Sequence, residues 1–105
     1  MQTQSPPEFT ERRQAVRFPI AIPVELDEGT GITRDVSLSG VFFETTQWFA
    51  PGEPVGLTLV LERASPGDPI RLQCEGQVVR VGQSNGKVEV AVAITSHSFA
   101  QQRWS

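Results

Sequence analysis

Apolar and polar residues alternate along several stretches of this chain. Residues 18–26 (FPIAIPVEL) carry an apolar side chain at every second position, and residues 55–61 and 88–94 repeat the same period of two. A helix would scatter such side chains around its circumference, whereas a strand places all of them on one face. The pattern therefore predicts β-strands with one face buried in a core.

The first predicted strand also contains two prolines on the face opposite its apolar side chains. Pro19 and Pro23 cannot donate a backbone hydrogen bond to a neighbouring strand. We therefore expect this strand to lie at a sheet edge or to carry a bulge. Phe18 and Ile20 are predicted to face the core together with the later apolar residues of the strand.

Turn signals separate six predicted strands. Gly76, followed by a change of phase at Val78-Val79, predicts a β-bulge in the fifth strand. The tripeptide Ser84-Asn85-Gly86 is typical of a hairpin turn. With no long amphipathic helix, the pattern predicts an antiparallel barrel or sandwich. The six strands cover about residues 18–26, 30–36, 41–46, 55–61, 70–81 and 88–94.

The length of 105 residues leaves room for a single core, so we expect one domain. Residues 1–11 are predicted to form a flexible arm and residues 12–97 the β domain. Residues 98–105 would form a tail or short helix that lays Phe99 and Trp104 on the barrel. Trp48 is likewise expected in the core or as a cap.

Composition excludes several functions. One cysteine and one histidine, with no Gly-rich phosphate loop, do not support nucleophilic catalysis, a disulfide or a metal site, so we expect no enzyme. Cys74 is expected to be a buried, inert thiol and His97 a solvated side chain. The net charge of −3 argues against general DNA or RNA binding. The absence of a membrane-length apolar run or a secretory signal predicts a cytoplasmic protein without membrane insertion.

Two short motifs carry the candidate chemistry. Arg12, Arg13 and Arg17 form an RRxxxR stretch ahead of the first strand, and residues 35–40 (DVSLSG) form a DxSxxG stretch between the second and third strands. Taken alone, the first motif is typical of a solvated arm and the second of a turn closed by Asp, Ser and Gly. Their combination on an all-β scaffold favours a binding site.

Together these motifs resemble the PilZ domain family. The run at 36–46 (VSLSGVFFETT) is similar to the central strands of that family, and residues 76–81 (GQVVRV) are similar to its later GxVxR strand. The resemblance covers about residues 12–95. It implies a six-stranded antiparallel β-barrel that binds the bacterial second messenger cyclic di-GMP, with no other cofactor, and that catalyses no reaction.

The resemblance also implies roles for the arginines. Arg13 and Arg17 match the RxxxR of the family, and Arg12 precedes it, a position linked to ligand stoichiometry and compatible here with an intercalated ligand dimer. A guanidinium can contact phosphate oxygens or the O6 and N7 acceptors of guanine, and its flat face can stack on a purine. By the same analogy, Arg80 or Val79 would lie against the ligand, although an aromatic residue sometimes found nearby is absent.

The second motif would recognise the base. Asp35 is an acceptor that can pair with the N1–H and amino donors of guanine, and Ser37 adds a hydroxyl. Gly40 is expected to allow close approach of the backbone and a positive φ.

We expect the ligand to order the arginine arm and so to change the face offered to an unknown partner protein in motility, exopolysaccharide or biofilm control. Two alternatives are a ligand-independent protein-interaction adaptor of the same fold and a barrel that binds single-stranded nucleic acid. The latter would need a basic groove with exposed aromatics.

Overall fold

Six antiparallel strands close into a β-barrel in the computed structural model, which describes residues 16–62 and 69–99. This architecture confirms the predicted six-stranded antiparallel barrel. The strands are β1 (Pro23–Leu26), β2 (Gly29–Val36), β3 (Gly40–Thr45), β4 (Pro54–Leu61), β5 (Ile70–Ser84) and β6 (Lys87–Phe99).

The strand order around the barrel is β1-β2-β3-β6-β5-β4. β1 closes the barrel against β4 through only two residue pairs, Val24 with Leu59 and Glu25 with Thr58. The long pairing of β5 with β6 includes the predicted hairpin, in which Asn85 and Gly86 have φ values of 52° and 77°. Positive φ at both residues is what a type I′ turn requires. The strands β2, β3, β6 and β5 thus form one continuous wall away from the β1–β4 seam.

The core consists mainly of the inward residues of the alternating pattern. Phe43 is fully buried and packs edge-on against Phe49, with 6.2 Å between ring centroids and an interplanar angle of 88°. Each such side chain contributes roughly 1.5–3 kcal/mol by burial. The other buried apolar side chains are Val24, Val41, Leu57, Leu59, Cys74, Val78, Val88, Val90 and Val92.

The prediction for the first strand is wrong in its N-terminal half. Phe18 and Ile20 are 54% and 47% exposed, and β1 begins only at Pro23. At Pro19 the chain makes a tight turn, in which the Ile20 amide donates to the Phe18 carbonyl at 2.8 Å. The buried Thr33 hydroxyl then donates to the Ile20 carbonyl at 2.5 Å and accepts from the Ile22 amide at 2.8 Å, so a side chain replaces part of the ladder. Pro19 interrupts the predicted strand, and Pro23 is the first residue of β1 in a closed barrel, so the two prolines do not mark a sheet edge.

The bulge predicted in β5 is confirmed. The register of β5 against β6 shifts between Glu75 and Gly76 and again between Val78 and Arg80. A Cβ at Gly76 would lie only 2.1 Å from the Ala93 carbonyl oxygen, so glycine allows the two backbones to approach here. A further register shift in β2, between Thr33 and Asp35, was not predicted.

Of the C-terminal segment expected to form a tail or short helix, residues 98 and 99 alone are described. Ser98 and Phe99 are the last residues of β6, and Phe99 is 65% exposed. Trp104 lies outside the described residues. Trp48, expected in the core or as a cap, is 58% exposed.

The side chains of Cys74 and His97 lie where the sequence predicted them. His97 is exposed on β6, and Cys74 is buried. Burial raises the pKa of the Cys74 thiol above its ordinary value, because the thiolate would lose its hydration. Cys74 is therefore a core residue with low reactivity.

Candidate ligand-binding site

A cleft of about 390 Å³ opens on the outer face of the wall formed by β2, β3, β6 and β5. Its volume falls within the roughly 300–1,000 Å³ typical of small-molecule sites. The residues that line it are Arg17, Asp35, Ser39, Gly40, Val41, Phe42, Val79, Arg80, Ala91, Val92 and Ala93.

The floor of the cleft is a row of residues paired in register across the four strands. Asp35 of β2 pairs with Phe42 of β3, Phe42 pairs with Ala91 of β6, and Ala91 pairs with Arg80 of β5. We call these four residues the cross-strand row. Neighbouring strands lie about 4.8 Å apart, so the row spans roughly 14 Å from its acidic to its basic end.

Two bulges supply the side walls. In β2, Thr33 is buried while Arg34 is exposed and Asp35 half-buried, so two consecutive side chains reach the outer face. In β5, Val78 is buried while Val79 and Arg80 are both exposed. A β-bulge re-aims side chains in this way because two residues oppose one on the partner strand.

The chain ahead of β1 reaches the acidic end of the row. Phe18 and Val36 form an isolated antiparallel bridge, with backbone hydrogen bonds of 2.8 and 3.0 Å between them. This bridge holds Arg17 next to Asp35, and the Arg17 Nη1 donates to Asp35 Oδ1 at 2.6 Å. One arginine of the first motif and the acid of the second therefore meet at the cleft. Arg12 and Arg13 lie outside the described residues.

Ser37 lies in the turn between β2 and β3, where its polar groups bond to other residues of the turn. Its amide donates to the Gly40 carbonyl at 2.9 Å, and its buried hydroxyl accepts from the Ser39 amide at 3.3 Å. These contacts stabilise the turn, and Ser37 is not among the lining residues, whereas Ser39 is. The predicted contact of Ser37 with a ligand stays a prediction.

Gly40 lines the cleft without using the positive φ that a glycine permits. It begins β3 with a φ outside the left-handed region, paired with Ala93. A Cβ here would lie 3.0 Å from the Val92 carbonyl oxygen, so the close strand contact restricts the size of the residue. The missing side chain also keeps that end of the cleft open.

The charges at the two ends of the row differ in their pairing. Arg17 is partly neutralised by Asp35, whereas Arg80 has no side-chain ion pair or hydrogen bond within residues 16–62 and 69–99. Arg34, beside the cleft, donates to Glu44 and lies 3.4 Å from Glu89. Arg80 therefore presents its positive charge to whatever enters the cleft.

Sequence reasoning missed Phe42 and the small residues Ala91 and Ala93, all of which line the cleft. The signal was present for Phe42, because a residue between the inward Val41 and Phe43 must face outward. The pairing of β3 with β6, which brings the alanines beside it, could not be inferred from local pattern.

Other site chemistries find little support in the part of the chain that the structure describes. It contains no group of three or more side chains able to hold a metal ion. It also contains no helix long and apolar enough to cross a membrane.

Comparisons with known proteins identify the family. The family model described as PilZ domain matches residues 11–104. Among solved structures, the chain is similar to the Bacillus subtilis inhibitor of motility (MotI/DgrA), with a TM-score of 0.71 and 19% identity. The match covers 83% of this chain but 44% of that one, so it supports the fold alone. No curated protein sequence matches significantly. The chain belongs to the PilZ domain family, a family of regulatory cyclic di-GMP receptors.

Proposed function

We propose that this protein binds cyclic di-GMP in the cleft and relays its presence to a partner protein. The observation that carries the proposal is the 2.6 Å contact between Arg17 and Asp35, which joins the two motifs at one end of a cleft with Arg80 at its other end. Donors for phosphate and an acceptor for guanine thus lie within reach of one ligand.

The chemistry of these groups suits the two halves of the ligand. Arg17 and Arg80 would donate charge-assisted hydrogen bonds to phosphate oxygens or to the O6 and N7 of guanine. Asp35 would accept from the N1–H and amino group of guanine, a donor pair that adenine lacks. Arg12 and Arg13, outside the described residues, would add further contacts by virtue of their spacing from Arg17.

Residues 12–17, which contain the three arginines of the first motif, would transmit the signal to the partner. Residues 12–17 would be held against the cleft when ligand is bound, because the phosphates neutralise charges that otherwise repel one another. A partner protein in a bacterial cytoplasm would detect this change, and the ligand would be released unaltered. Hydrogen exchange of peptides containing residues 12–17 should slow on addition of ligand; equal exchange with and without ligand would refute this relay.

Isothermal titration calorimetry tests binding. The wild type should bind cyclic di-GMP more tightly than cyclic di-AMP, and Arg17→Ala should weaken binding. Arg71→Ala is a matched control, because Arg71 also pairs with an exposed carboxylate, Glu25, at 3.2 Å but does not line the cleft. The proposal is contradicted if cyclic di-GMP gives no binding heat with the wild type and does not compete with another dinucleotide for it.

One observation favours a second candidate, a ligand-independent protein-interaction adaptor. Apolar side chains stand exposed beside the cleft: Leu38 is 86% exposed, and Val16, Phe18 and Val79 are each more than half exposed. Single exposed apolar residues are common, but a group of them often marks a protein contact. Such an adaptor would give no titration signal with either dinucleotide.

A further inference from the structure

Phe42 occupies the middle of the cross-strand row and has no role in the chemistry described so far. It is half-buried, lines the cleft, and pairs directly with Asp35 on one side and Ala91 on the other. Its neighbours Val41 and Phe43 are buried in the core, so the alternation of β3 directs Phe42 to the outer face. A large aromatic side chain thus lies on the floor of a polar-ended cleft.

The side chains next to Phe42 within the cleft are short. On the cleft side, its neighbours along β3 and across β6 are Gly40, Ala91 and Ala93, which carry a methyl group at most. On its other side, outside the cleft, Glu44 and Glu89 flank it and both lie near Arg34. Among the other outward residues that line the cleft, the larger side chains lie at its ends, Arg17 and Asp35 at one and Val79 and Arg80 at the other. A planar group can therefore lie along this floor without displacing a neighbouring side chain.

We propose that Phe42 is a platform on which a guanine base of the ligand stacks, while Asp35 binds the edge of the same base. Directly paired residues on adjacent strands have Cβ atoms about 4.5–5.5 Å apart, so the Asp35 carboxylate can reach the rim of a base that rests on Phe42. Arg80, two strands beyond Phe42, then faces the opposite side of that base or its phosphate. This inference rests on the proposed function and assigns a stacking residue to the same site.

Three variants at one position test the inference by calorimetric titration with cyclic di-GMP. Base–aromatic stacking contributes about 1–3 kcal/mol per base, so Phe42→Ala should weaken binding roughly 5- to 150-fold. Phe42→Leu keeps an apolar side chain of similar size without the aromatic face and should recover only a small part of that loss. Phe42→Tyr should bind within about threefold of the wild type, because the ring is restored.

Trp48→Ala is the matched control, since Trp48 is an exposed aromatic residue that does not line the cleft. It should leave the affinity unchanged. Circular dichroism and thermal melting identify folded variants, and the Tyr–Leu comparison decides the question even if the alanine variant unfolds. If the wild type binds and Phe42→Leu binds equally well, the platform is refuted and the proposed function stands. If the wild type itself fails to bind, the proposed function fails first.

Discussion

Removing the Arg17 side chain should weaken ligand binding more than it weakens the fold. In Arg17→Ala the ion pair with Asp35 is lost, but the two side chains are 64% and 27% exposed. Exposed ion pairs contribute only about 0.2–1 kcal/mol to stability. The melting temperature should therefore fall by roughly 1–8 °C, as expected for so small a change in a domain of this size.

On binding, Arg17 exchanges its ion pair with Asp35 for a hydrogen bond to the ligand, and the difference between the two sets the effect of Arg17→Ala on affinity. A hydrogen bond from a charged group to the ligand contributes about 1.5–3 kcal/mol. Binding in the wild type must first break the Arg17–Asp35 contact of 2.6 Å, which offsets about 0.2–1 kcal/mol of that gain. The net loss in Arg17→Ala is then about 0.5–2.8 kcal/mol, or roughly a 2- to 100-fold weaker affinity.

Calorimetric titration of the wild type, Arg17→Ala and Arg71→Ala, under one buffer and salt concentration, measures this difference. Arg71 lies 3.2 Å from Glu25 and away from the cleft, so its removal changes the net charge equally without touching the site. The reasoning is refuted if Arg17→Ala binds like the wild type. It is equally refuted if the two alanine variants lose affinity by the same factor, because general charge would then explain the effect.

Three further changes have definite expected outcomes. Asp35→Ala should reduce the preference for cyclic di-GMP over cyclic di-AMP in titrations, because the acceptor for the guanine donors is gone; a retained preference would exclude this role. Gly76→Ala should lower stability to urea by about 1–3 kcal/mol, since its Cβ would lie 2.1 Å from the Ala93 carbonyl oxygen, whereas Gly82→Ala, with no atom within 4 Å, should be nearly neutral. Cys74 should resist thiol reagents until urea unfolds the protein. Burial raises the pKa of Cys74 in the folded state, so its contribution to stability is complete below the unfolded pKa of about 8.5. That contribution is lost as the pH rises through the folded-state pKa. The reasoning is contradicted if Cys74→Ala loses as much stability at alkaline pH as the wild type.

The two bulges differ in how visible they are in the sequence, and the difference has a physical cause. In β5 the inward residues Val78 and Val81 are apolar. The spacing between successive inward residues changes from two to three at this point, and the hydrophobic pattern of the sequence shows that change. In β2 the inward residues are Thr33 and Val36, and a buried threonine leaves no apolar mark. The bulge in β5 was therefore predictable, and the one beside Asp35 was not.

The prediction that the first strand begins at Phe18 was wrong for a related reason. The alternation from Phe18 onward is real, but Pro19 turns the chain and the Thr33 hydroxyl takes up backbone groups that a ladder would have used. Periodicity records which residues are apolar and is blind to such side-chain to backbone bonds. The convergence of Arg17 with Asp35 was nevertheless predictable from the paired motifs, whereas the position of Phe42 needed the pairing of β3 with β6.

The same irregularities shape both the barrel and its cleft. In regular strands, consecutive residues point to opposite faces, so one of Arg34 and Asp35 would enter the core, where an unpaired charge is costly. The bulge keeps both outside, and the bulge in β5 does the same for Val79 and Arg80. Bulges also increase the local twist and bending that a six-stranded sheet needs to close. Because closing the barrel and building the walls of the cleft use the same two bulges, a substitution that regularises either strand should disturb stability and ligand affinity together.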